Sequence, residues 1–129
     1  NADRFAAFLN LLLEGNQSWA KDASVLGFIV AKKHFEHNGK PNPSYALDCG
    51  AAWMAMTLQA RQEGLYTHGM AGIKHTDILE HLGLDAEQHE VVVGFTIGKK
   101  GDVSQLDQGL QEKEFPSPRK PLDEVWLPS

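Results

Sequence analysis

Six histidines, one cysteine, two glycine-rich turns and a basic pair between prolines are the residues in this sequence that could do chemistry. His34 and His37 stand three apart, and His75 and His81 flank an expected helical turn. A zinc site needs three or four convergent nitrogen, sulfur or carboxylate ligands, usually announced by an HExxH or a cysteine cluster. Neither pattern occurs, so the histidines read as polar surface residues and no metal is expected. Cys49 lies inside "CGAAWMAMTLQA", where a thiol behaves as a small buried hydrophobe. Ser24, Ser104 and Ser117 lie in no GxSxG-like elbow, so no catalytic nucleophile is expected. "GFTIGKKGD" lacks the spacing and trailing hydroxyl residue of a P-loop and reads as a strand-ending turn.

Two stretches carry more. "THGMAGI" sets Gly69 and Gly72 on either side of Met70 and Ala71, and without glycine side chains the backbone can approach a flat ligand closely. The competing reading is an ordinary turn before a helix. "EFPSPRKPLDEVW" holds Arg119 and Lys120 between Pro118 and Pro121. The arginine suits bidentate phosphate contact, with the lysine a second cation; the competing reading is a solvated basic pair in a tail.

The elements that must position these residues follow from periodicity. "DRFAAFLNLLLEG" has Phe5, Phe8, Leu9, Leu12 and Leu13 at helical spacing, with Asp3 as cap and Gly15 as stop. "SVLGFIVAKK" is a buried strand, and "HFEHNGKPNPS" a surface loop. Ser44 to Gly64 is the longest helix, with those two residues as its caps. Its middle is apolar nearly all the way round, which a surface helix of a small monomer should not be. That predicts burial by a second subunit, with Gly50, Ala51, Ala52 and Ala55 allowing close approach. "KHTDILEHLGL" is a short helix capped by Thr76 or Asp77 and stopped by Gly83. "EVVVGFTIGKK" is the clearest strand. From Gly101 onward only Val103 to Leu110 has weak helical character, and Val125 to Leu127 looks strand-like. The alternation of helix and strand predicts an α+β or α/β sandwich.

Composition agrees with one domain of 129 residues: 42% hydrophobic and 22% charged is ordinary for a globular chain. A net charge of −5 argues against non-specific nucleic-acid binding, and no run reaches the roughly 18 apolar residues of a membrane span. A lone cysteine and no signal-peptide pattern predict a cytoplasmic protein.

Taken in order, these stretches resemble the flavin-dependent nitroreductase family over nearly the whole chain. "NQSWAKDASVLGFIVAKK" is similar to the family's helix-to-strand passage, and "YALDCGAAWMAMTLQARQEGLYTHGMAGI" to its central dimer helix and following turn. "EVVVGFTIGKKGD" and "KEFPSPRKPLDEVW" resemble its closing strand and C-terminal segment. The resemblance implies a sandwich of a central β-sheet flanked by helices, in an intertwined homodimer with FMN at the subunit interface. It implies a ping-pong reaction in which NAD(P)H is the electron donor and a nitroaromatic or quinone the acceptor. Arg119, with Lys120, matches the family's cation on the FMN phosphate. Ala71 and Gly72 match the turn whose backbone amide approaches the flavin N5 edge, and Gly69 and Met70 the pair against the ring face. Residues 101–129 match a tail that crosses to the partner subunit, with 123–127 pairing with its sheet. The family's Arg-x-Ser-x-Arg and Ser-x-Asn-x-Gln-Pro-Trp stretches do not occur in "NADRF" or after it, so the chain is expected to be an N-terminally short form. A flavin-free dimer of the same fold, binding another ligand or a partner protein, is the alternative.

Overall fold

A computed structural model describes residues 2–126. Two helices, α1 (Ala2–Asn10) and α2 (Glu14–Ala20), lead into β1 (Val25–Lys32); α3 (Tyr45–Gln62), β2 (Tyr66–Met70), α4 (His75–Leu82) and β3 (His89–Gly98) follow. The strands form one antiparallel sheet in the order β1-β3-β2. Beyond it come a 3-10 turn at Val103–Gln105 and two single-turn helices, α5 (Gln108–Gln111) and α6 (Leu122–Val125).

Side chains alternate across the sheet, and the sequence uses that to seat a helical layer on each face. Gly27, Phe95 and Gly69 are cross-strand neighbours in one row. A β-carbon on Gly27 would stand 2.6 Å from the Phe95 ring, and one on Gly69 3.2 Å from Trp53 of α3. The glycines make room for two aromatic rings whose centroids are 5.9 Å apart. The next row, Phe28, Gly94 and Met70, faces the other way. There α1, α2, the link between them and α4 bring Leu12, Ile78 and the rest of the main hydrophobic core against Met70 and Val91. Ile29 pairs with Val93 but Val30 with Val91, so Val92 is an extra residue in β3. This bulge keeps Val91 on the same face as Gly94 despite their odd spacing.

The first helix is shorter than its periodicity predicts. It ends at Asn10 because Leu11 to Leu13 are taken up by residues 72–74. Leu12 forms an antiparallel bridge with Ile73, Leu13 N–H donates to the Gly72 carbonyl at 3.0 Å, and Lys74 N–H donates to Leu11 at 2.9 Å. The Lys74 ammonium also donates to the Asn10 carbonyl at 2.8 Å, satisfying an end of α1. Tertiary pairing overrides helix propensity here, and Gly15 falls inside α2 rather than stopping α1.

α3 has the expected extent, with Gly64 at φ +74° just beyond it. Ser44 does not cap it by side chain; its hydroxyl donates to Asn42 Oδ1 at 2.8 Å. α4 starts at His75 with Lys74 ahead of it, so neither Thr76 nor Asp77 is its cap, and Gly83 ends it at φ +67° as expected. Leu122–Val125 is a helical turn instead of the start of a strand: Pro121 precedes it in extended backbone, and Asp123 and Glu124 suit a helix first turn. Leu127, the end of that expected strand, lies outside the described residues.

Candidate functional site

The turn after β2 is the best-built feature with chemistry to offer. Its carbonyl side is fixed: the Gly72 oxygen accepts from both the Leu13 amide and the Asn16 side-chain amide, each at 3.0 Å. Ile73 N–H closes the turn by donating to the Ala71 carbonyl at 2.8 Å. Its amide side is open. Among the described residues, neither the Ala71 nor the Gly72 N–H donates to a protein acceptor, and Ala71 is exposed. Two successive amides without partners require water or a ligand acceptor. The N5 and carbonyl edge of an isoalloxazine ring presents acceptors of that kind, and it is the backbone of the turn rather than its side chains that would meet them.

The other predicted residues divide. Met70 is 5% exposed, its side chain in the core, so only its backbone is on offer to a cofactor. The side chain points inward because β2 alternates and Met70 shares a row with Phe28 and Gly94. Gly69 packs against Trp53 of α3, where a β-carbon would stand 3.2 Å from the indole, a packing reason that the sequence did not reveal. Arg119 and Lys120 are exposed, and the Arg119 guanidinium donates to Ser117 Oγ at 2.7 Å. No hydrogen bond or ion pair among the described residues joins this basic pair to the turn at 69–72.

Asn16 was missed by sequence reading. An amide in "GNQSW" gives no signal until the fold brings it onto Gly72, 56 residues away. Missed too was the contact of Trp19 with His68, ring centroids 4.6 Å apart, one turn further along α2. His68, His75 and His81 are exposed, as the sequence reading expects, yet each also makes a defined contact. His75 Nδ1 donates to the Val91 carbonyl at 2.9 Å, and His81 meets Phe8 edge-on at 5.7 Å. Among the described residues no three His, Cys, Asp or Glu side chains are grouped to hold a metal ion.

The electrostatics offer no activated nucleophile at Cys49: burial, then the Asp48 and Glu90 carboxylates, push its thiol above the usual range. Tyr45 donates to Glu90 at 2.8 Å, which likewise raises its phenol. α3 leaves one face uncovered, with Leu47, Met54 and Leu58 at 74%, 54% and 58% exposure. No described helix is long and apolar enough to cross a membrane.

Comparison with known proteins places this arrangement. The sequence profile of the nitroreductase family matches residues 3–99. A crystal structure of an oxidoreductase containing FMN is 41% identical at TM-score 0.91, over 97% of this chain and 64% of its own. An FMN complex from Exiguobacterium sibiricum is 26% identical at TM-score 0.53, over 67% of this chain and 36% of its own. The FMN- and NADPH-dependent nitroreductase NfnB of Sphigopyxis sp. strain HMH shares the fold at 21% identity and TM-score 0.63, over 100% of this chain and 50% of its own. The chain therefore spans under two thirds of the length of each. No curated protein matches. The helix-flanked antiparallel sheet is that of these structures, and with three quarters of its length under the family profile the chain belongs to the nitroreductase family.

Proposed function

We propose that the chain is the flavin-holding part of an FMN-dependent NAD(P)H oxidoreductase that reduces nitroaromatics or quinones as a homodimer. The observation that carries the reading is the pair of unpartnered amides at Ala71 and Gly72, in a chain 41% identical to an FMN-containing oxidoreductase. When bound, FMN supplies the redox chemistry, reduced by NAD(P)H and reoxidised by the acceptor in alternation. The protein's part is to bind and orient. Asn16 and Leu13 hold the Gly72 carbonyl and Ile73 N–H holds the Ala71 carbonyl, so the backbone of the turn is set before any ligand arrives. Arg119, with Lys120, supplies the phosphate cations once the tail closes on a site, and residues 101–129 are the segment that crosses between subunits. The uncovered face of α3 is the surface the second subunit buries; exposed large apolar side chains at this spacing mark an interface rather than a solvated helix.

The test is the visible absorption spectrum of the purified protein before and after addition of FMN, followed by gel filtration. A flavin band that travels with a dimer is expected, together with NAD(P)H oxidation dependent on a nitroaromatic or quinone. A protein that releases all flavin at high added FMN would sink the reading.

A further inference from the structure

We propose that the cavity between the end of α2, the adjoining ends of β2 and β3, and residues 99–110 binds the adenylate half of a nucleotide. It is distinct from the turn after β2: His68 lines it, while Gly69, Met70, Ala71 and Gly72 do not. Its volume of about 450 Å³ falls within the roughly 300–1,000 Å³ of small-molecule sites.

The lining supplies the groups that recognise such a ligand. The Trp19 indole and the exposed His68 ring form an aromatic wall on which a flat base stacks. Asp22 and Asp107 present acceptors for ribose hydroxyls and for an exocyclic amine, and Lys21 and Lys99 present cations for a phosphate. These four side chains are exposed, and among the described residues none of them makes an ion pair. Charge narrows the choice. Three carboxylates, counting Asp102, stand against two ammonium groups, which disfavours a bare polyanion and favours a ligand rich in donors with a single phosphate. Adenosine monophosphate has that balance, and NAD(P)H carries it as one half. The identification of the ligand with the electron donor rests on the function proposed above; the cavity's chemistry does not.

The experiment is calorimetric titration of the full chain with 5′-AMP, with and without saturating FMN. Saturable binding of one AMP per chain is expected, unaffected by FMN. Trp19→Ala should weaken it roughly tenfold or more, the usual loss for a stacked base. Because Trp19 also packs on the core, exposed Lys99→Ala is the second variant: it should weaken AMP while leaving adenosine binding unchanged. NADH should displace AMP, and reduced nicotinamide mononucleotide, which lacks the adenylate, should not. No saturable heat at millimolar AMP overturns the proposal. So does displacement of AMP by inorganic phosphate alone, which would make this a simple anion site, or by FMN, which would give the cavity to the flavin. AMP binding that NADH leaves undisturbed overturns the link to the donor. Retained AMP binding in a protein that fails to hold FMN counts against the flavin reading only.

Discussion

The Asn16 side-chain amide donates to the Gly72 carbonyl at 3.0 Å and occupies the space that a β-carbon at position 72 would need, 2.6 Å away. One residue of α2 thus both ties down the turn after β2 and fills the space beside its glycine. The other atoms near that β-carbon are farther, with the Leu13 methyl at 3.8 Å, so the conflict is with Asn16 alone. Asn16→Ala should lose about 1 kcal/mol, a typical net hydrogen bond. Gly72→Ala should be destabilising in the parent chain and close to neutral when combined with Asn16→Ala. Urea unfolding of the four proteins in the cycle measures the coupling; strictly additive losses would show that Asn16 does not set the turn.

Gly94 makes a sharper case in the core. A β-carbon there would meet the Ile73 methyl at 2.8 Å, Met70 Cγ at 3.2 Å and the Phe28 ring at 3.5 Å. All three are packed and have little room to retreat, so Gly94→Ala should cost about 1–3 kcal/mol as overpacking. The urea midpoint should fall with an unchanged slope. A midpoint at or above the parent's would mean the two layers are looser than these distances imply.

How far the sequence led can be judged at particular residues. β1, α3, α4 and β3 were legible because their patterns are local: β-branched runs, an 18-residue helical stretch, and Gly64 and Gly83 closing helices at positive φ; β2 was not, because Gly69 within it reads as a break. The break after Asn10 was not, because its cause is pairing of Leu12 and Leu13 with residues 72 and 73, far along the chain. Gly69 and Met70 close β2 and the turn begins at Ala71, so the sequence reading set it two residues early and left its glycines open between a ligand and an ordinary turn. Gly69 answers to Trp53 and Gly72 to Asn16, and both partners become visible only in three dimensions. Burial of Met70 was in principle readable from strand alternation, had the sheet's inner face been known.

The uncovered face of α3 makes a prediction about assembly. Leu58 is 58% exposed in the single chain, so Leu58→Glu should change the stability of an isolated protomer by no more than about 0.5 kcal/mol. If a second subunit covers the face, that substitution buries an unpaired carboxylate at the interface and the dimer should dissociate. Light scattering should then report half the parent's mass with an unchanged circular dichroism spectrum. A parent chain that is already monomeric at micromolar concentration would refute the dimer.

Asp102 gives a pH dependence that can be followed at one atom. Its carboxylate accepts the Ser104 backbone N–H at 2.9 Å, and that bond holds its pKa below the ordinary aspartate value. A depressed folded pKa means the contribution is fully present above the unfolded value, about 3.9, and is lost as pH falls through the folded one. The Ser104 amide resonance should therefore stay constant from neutral pH down to about 4 and move only below it. Asp102→Asn keeps a good capping residue and should abolish the movement. A shift of the amide centred near neutrality would point to a different titrating group.

Arg119 tests the phosphate assignment most directly. Its guanidinium is exposed, and the partner it has among the described residues is the neutral Ser117 hydroxyl. A phosphate would offer a planar, charge-assisted, bidentate contact, worth about 1.5–3 kcal/mol. Arg119→Ala should weaken FMN by roughly tenfold or more, and Arg119→Lys should recover only part of it, because an ammonium cannot fork. Lys120→Ala should have the smaller effect. Each dissociation constant is read from quenching of flavin fluorescence, at fixed ionic strength so that screening does not blur the comparison. Equal affinity in Arg119→Ala and the parent would remove the tail from the site and leave the turn at Ala71 and Gly72 to hold the cofactor without it.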